Sequence, residues 1–179
     1  MKKEIYLTIA SFAIAATFLS AYGQQNPDNT QTGSDCPTMK KQSAAEMNAR
    51  GNMAMGFDQA KTVHRFRLTN YGGVIEVQVK DPGDTGGREQ IREHLQHITR
   101  MFREGNFNAP MFIHAQTPPG TDVMQRLKDR IKYEYVKTQF GALVRISTTD
   151  AEALEGLHNY LKFQIVEHQT GDPQGVNSK

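Results

Sequence analysis

Residues 64–102 read HRFRLTNYGGVIEVQVKDPGDTGGREQIREHLQHITRMF, and the fold class follows from this run. Phe66 and Leu68 alternate with Arg65 and Arg67, the period of a strand with one buried face. Asn70-Tyr71-Gly72-Gly73 supplies a hairpin turn, after which Ile75, Val77 and Val79 alternate with Glu76, Gln78 and Lys80. Asp81-Pro82-Gly83 is a second turn, and beyond it the period changes. Ile91, Leu95, Ile98 and Phe102 form one stripe of a helix, with Asp84-Thr85 placed to cap its start. A hairpin followed by an amphipathic helix is a ββα unit.

The same order returns downstream. Tyr133 and Tyr135 alternate with Glu134 and Val136, Lys137 to Gly141 turns, and Ala142, Val144 and Ile146 share a face. Asp150 then caps a final helix with Leu154, Leu157, Leu161 and Ile165 in one stripe, and His168 near its C-terminus suits the helix dipole. Between the units, Gly105 to Gly120 reads as an irregular connection carrying Met111-Phe112-Ile113 and His114, with a short helix after it. The expected fold is therefore α+β, two ββα units giving a four-stranded antiparallel sheet with helices packed on one face. Residues 56–169 form that single domain, and 170–179 read as a flexible tail.

Residues 1–23 have the make-up of a Sec-type signal peptide: Lys2 and Lys3, an apolar run from Ile5 to Leu19, and Ala21-Tyr22-Gly23 at a cleavage site. The expectation is a periplasmic or secreted protein with no stable membrane span after cleavage. Residues 24–55 are polar and without period and read as disordered, although Ser43 to Arg50 could form a short helix. Cys36 is the only cysteine, so no intramolecular disulfide can form. Without residues 1–23 the chain carries 19 basic and 18 acidic residues, net +1, which argues against nucleic acid as a partner.

The side chains suited to chemistry are chiefly histidines. His94 and His97 stand one helical turn apart and could share an ion, with His64 or His114 as a further ligand, a set suited to Zn or Cu. Met39, Met47, Met53 and Met55 precede His64 and add soft donors for copper, although their spacing is irregular. Thr85, Arg88 and Arg92 at the helix start, with His114, make a candidate anion site. G-x-S-x-G, H-E-x-x-H and C-x-x-C are all missing. Three functions stay open. The preferred one is non-catalytic binding of a small ligand, a metal ion or a protein partner. The second is an enzyme acting on an anionic small molecule at Thr85 and Arg88. The third is a homodimer built through sheet edges.

Met55 through Asp172 resembles a group of small exported bacterial proteins of unknown function, sometimes labelled aspartate carbamoyltransferase. MGFDQAKTVHRF, GGVIEVQVKDPGDT, REQIREHLQHITRMF, APMFIHAQTPPG and FQIVEHQTGD carry the resemblance. The nearest thing here to the S-T-R-T carbamoyl-phosphate motif of that label is Asp84-Thr-Gly-Gly-Arg88. The resemblance implies export and a single domain, and brings no established catalytic residues.

Overall fold

The two hairpins join through their second strands. A computed structural model describes residues 43–176; the signal-like stretch, Cys36 and Met39 lie outside them. The first hairpin is β1 (Thr62–Thr69) and β2 (Gly72–Val79), and the second is β3 (Ile131–Thr138) and β4 (Gly141–Thr148). They form one antiparallel sheet in the order β1-β2-β4-β3. Helix α2 (Thr85–Arg103) follows the first hairpin, and α5 (Ala151–Glu167) follows the second. The fold is the α+β architecture expected from the sequence.

The halves are related by an internal pseudo-twofold. Each residue of the first hairpin has a counterpart 69 places on, and residues 85–101 of α2 have theirs 66 places on in α5, with His168 just beyond it matching Phe102. At the centre of the sheet Ile75 lies opposite Val144, its own counterpart. Thr148 N donates to Tyr71 O, and Val79 N donates to Phe140 O, both at 2.9 Å. These are the same bond made twice, tying each turn to the end of the other half's central strand. The approach is close enough to demand glycine: a Cβ on Gly72 would run into the Ile146 carbonyl, and one on Gly141 into the Val77 carbonyl.

Each helix crosses to the other half's hairpin, α2 over β3 and β4, α5 over β1 and β2. Asp84 and Asp150 cap the two helices, as their sequence positions suggested. The next shared device is a polar clamp. Arg92 donates from Nε to Gly141 O at 3.1 Å and from Nη2 to Thr138 O at 2.7 Å. Its counterpart His158 places Nε2 3.1 Å from Thr69 O and 3.0 Å from Gly72 O. Between sheet and helices lie Val77, Val144, Ile146, Ile91, Leu95, Leu157 and Leu161, all buried. Each such side chain contributes roughly 1.5–3 kcal/mol.

Three segments differ from expectation. The end of the stretch read as disordered is a helix, α1 (Ala44–Met55). Ser43 and Glu46 make a capping box at its start, Gly56 closes it in the left-handed region, and Met47 and Met55 enter the core. Within the connection read as irregular, Asn108–His114 forms α3, with Pro110 tolerated in its first turn. A short α4 (Thr121–Arg126) follows. Of the segment read as a flexible tail, residues 172–176 lie along β1: Phe66 N donates to Asp172 Oδ2 at 2.8 Å, and Val176 bridges to Leu68.

Candidate functional site

The histidines of four separate elements meet at one cavity. His64 points inward from β1 because it shares a face with Phe66 and Leu68. His94 stands on α2 one position before buried Leu95, His114 ends α3, and His168 follows the last turn of α5. All four line a cavity of about 60 Å³, with Gln164, Tyr160 and Met55 also on its wall and Ile75, Val77 and Phe102 among its apolar lining. Such a space holds a few water molecules or a ligand of a handful of non-hydrogen atoms.

The rings meet by their faces. His64 stacks on His168 with centroids 5.1 Å apart and planes 15° apart, and His114 meets His168 edge-on at 5.2 Å. Phe57 packs against both His64 and His94. Stacked imidazoles do not aim their nitrogens at a common point. Accordingly, no three His, Cys, Asp or Glu side chains among the described residues form a metal-holding group.

Burial sets the charge of the cluster. It pushes His64 down to about 4. It does the same to His94, helped by His64 and His97. His168 is held well below the usual imidazole range by burial, then by His64 and His114. His114 is lowered by burial, although its contact with Gln164 and the carboxylate of Glu167 act in the opposite direction. All four rings are therefore neutral near pH 7.

Neutral rings leave nitrogens that need partners. His64 Nε2, His114 Nδ1 and Gln164 Nε2 are buried and make no hydrogen bond. His114 Nε2 lies 3.0 Å from Gln164 Oε1. With that amide oxygen as acceptor, Nε2 carries the proton and Nδ1 is a bare lone pair. It stands 4.0 Å from Glu167 Oε2, another acceptor. Two acceptors facing each other across that gap call for an N–H or O–H donor between them.

The other candidate residues are placed elsewhere or already engaged. His97 is exposed, with Nδ1 3.3 Å from Arg100 Nη2, so it does not join His94 in a shared site. At the start of α2 the Asp84 carboxylate accepts from Gly87 N at 2.8 Å, so a negative charge already sits where an anion would bind. Thr85 is exposed there. Arg88 Nε lies 4.0 Å from Glu89, while Arg92 is spent on its clamp and on Glu89 at 2.7 Å. His114 is thus the one residue of the proposed anion set that faces the cavity. Met53 is exposed, whereas Met47 and Met55 are core residues.

The sheet edges are partly occupied as well. Arg103 donates to Tyr133 O on edge strand β3, and Asp172 takes Phe66 N on edge strand β1. Occupied edges are poor templates for pairing with a second chain.

Sequence reasoning counted His168 among the histidines but gave it no place in a site, and it missed Gln164 and Tyr160. Superposing the two helices from their caps, Asp84 on Asp150, sets His168 at the position of Phe102 and Gln164 at that of Ile98. An apolar position turned polar was the available signal. No protein-family model, no characterised protein and no solved structure matches the chain.

Proposed function

We propose that this is an exported, non-catalytic binding domain that holds a small hydrogen-bond donor in the histidine cavity. The observation that carries the reading is the set of buried nitrogens without partners on one wall, above all His114 Nδ1 facing Glu167. Leaving such groups unsatisfied costs about 1–3 kcal/mol each. A ligand bearing N–H or O–H groups removes that cost. The pseudo-twofold adds support, since the other half fills the equivalent space with Phe102 and Tyr133, so the fold itself does not require histidine there. Catalysis fits less well, because an imidazole pushed to about 4 is a poor proton carrier near neutrality. Export rests on residues 1–23 and on the resemblance to small exported bacterial proteins.

Thermal melts of the full chain test this, with urea, formamide, glycerol and imidazole as probes and Zn(II) and Cu(II) in the same set. At least one small donor is expected to raise the midpoint of the wild type and to lose that effect in His114→Ala. A hundredfold excess over Kd corresponds to about 2.7 kcal/mol of added stability. A shift with the metals alone, lost in His114→Ala, would make the ligand an ion. No shift with any probe would leave the cavity to water and end the proposal.

A further inference from the structure

We propose that protons and ligand compete for this cavity: a proton on His114 Nδ1 removes the lone pair the ligand uses, and further protons crowded onto His168 and His64 part α3 from α5 and open the cavity to solvent. The inference rests on the binding reading above and adds its regulation.

The geometry favours His114 as the first proton's position. A proton on Nδ1 would face the Glu167 carboxylate 4.0 Å away, while Nε2 keeps its contact with Gln164 Oε1 at 3.0 Å. The proton therefore supplies the donor that the gap lacks, which is the ligand's own role there. It makes ligand and proton alternatives.

The next proton has no such welcome. His168 touches His114 edge-on at 5.2 Å and His64 face-on at 5.1 Å, so a second charge sits one ring away from the first. The charged and titratable groups around the row bring little relief. From α1 comes Arg50, a further positive charge whose Nε donates to Ile113 O at 3.0 Å. From α2 comes His94, which bears on His64 as a further positive charge when protonated, with His97 beside it on the outer side. From α5 come Glu167, already engaged by His114, and the hydroxyl of Tyr160 on the cavity wall. From the tail comes Asp172, whose carboxylate accepts Phe66 N. From β2 the wall is Ile75 and Val77, which carry no charge. The C-terminal end of α5 offers His168 some dipole stabilisation, yet burial still holds that ring neutral.

The element placed to give way is α3. It is a seven-residue helix with no side-chain cap at its start, and it ends on Ala115 in the left-handed region at φ 50°. Phe112 on it is half-exposed. Its polar ties to the rest include the Arg50 bond to Ile113 and the His114 contact with Gln164.

Hydrogen exchange of the ligand-free full chain tests the opening directly. Between about pH 7 and about pH 5, after correction for intrinsic rates, protection of residues 108–115 should fall roughly tenfold while β2 and β4 keep theirs. The double variant His64→Tyr/His168→Phe installs the pair found at the equivalent positions of the other half and should keep its protection at both pH values. If that variant does not fold, His114→Gln keeps a polar contact and cannot take the first proton, so its opening should begin at lower pH. Equal protection at both pH values in the wild type would overturn the proposal, as would an unchanged loss in whichever variant folds. Exchange without ligand is independent of the melts near neutral pH, so the two failures are distinguishable: unchanged protection overturns the acid opening alone, whereas melts without any shift remove the binding reading and the competition with it.

Discussion

Two seams join helix to sheet in this molecule, built from equivalent positions with different chemistry. Where α2 crosses the second hairpin, Phe102 meets Tyr133 edge-on at 5.9 Å and stacks on Phe107 at 4.7 Å. Where α5 crosses the first hairpin, the counterparts of Phe102 and Tyr133 are His168 and His64, and the counterpart of Ile98 is Gln164. The first seam shows what the fold needs, apolar volume under a capped and clamped helix. The second carries more polar atoms and leaves His64 Nε2, His114 Nδ1 and Gln164 Nε2 without partners, where the first leaves the Tyr133 hydroxyl. The larger departure from local consistency at one of two equivalent places supports the binding reading proposed for it. Helix α3 has no counterpart in the repeat, α1 is twice the length of its counterpart α4, and both α1 and α3 contribute to the lining of the histidine cavity.

The largest test of the comparison is truncation at the paired positions. Phe102→Ala should cost about 3–5 kcal/mol, because a buried ring is removed from a densely packed seam. Its counterpart His168→Ala should cost no more than about 1 kcal/mol near pH 7, since lost packing is offset by relief of a desolvated imidazole. Urea unfolding midpoints at constant m-value give both numbers. Equal costs would mean that the seams are energetically alike and that the histidines serve as ordinary core.

Acid should separate the seams next. His64 and His94 fall from 6.5 to about 4 on folding. Between those values the unfolded chain binds protons that the folded chain refuses, so stability falls as pH drops through about 6.5 and levels off below about 4. The shifts correspond to a few kcal/mol per ring, and discounting for partial exposure and coupling leaves about 1–2 kcal/mol each. The Phe102 seam adds nothing to this window, because burial pushes Tyr133 up, away from it. Unfolding free energies measured from pH 7 to pH 4 should therefore slope in the wild type and slope less in His64→Tyr/His168→Phe, where His94 still contributes. A parallel slope in both would assign the acid response to other groups.

How much of this was legible depends on which physical signal was local. Alternation gave the strands, and the stripe Ile91, Leu95, Ile98, Phe102 gave α2, because each is a repeat within a few residues. Strand order was not legible, since it rests on the close approach of Gly72 to Ile146 and of Gly141 to Val77, contacts across about 70 residues of chain. The start of α1 was offered as a short helix at Ser43 to Arg50, but its extent to Met55 was not legible, because its buried side chains, Met47, Gly51 and Met55, are one per turn in a polar stretch. For the site, His64, His94 and His114 were named as candidates and do share a cavity, but as rings packed face-on or edge-on against other rings and not around a common ion. His97 was named for its spacing from His94 and points outward. His168 was set aside because a helix C-terminus already explained it.

The clamps offer a finer comparison. Arg92→Ala breaks two charge-assisted bonds to turn carbonyls and should cost about 1.5–3 kcal/mol, while His158→Ala should cost about 0.5–1.5 kcal/mol. Arg92→Lys should recover less than half of the loss, because one ammonium cannot match the planar fork that spans Thr138 and Gly141. Full recovery by lysine in thermal melts would show that charge, not geometry, holds the turn.

The smallest expected effect probes α1, which is twice the length of its counterpart α4. Ser43 accepts from Glu46 N, and Glu46 returns a bond to Ser43 N, so the start of α1 depends on this pair. Ser43→Ala should cost about 1 kcal/mol. The informative point is where that loss appears. Met55 at the other end of α1 lines the histidine cavity, and Arg50 holds the last turn of α3 through the Ile113 carbonyl. If α1 serves as the outer wall of the histidine seam, frayed caps should raise exchange at residues 108–115 and leave Phe102, Tyr133 and the strands around them unchanged. If instead protection falls uniformly across both hairpins, α1 belongs to the common core, and the two seams differ in their side chains alone.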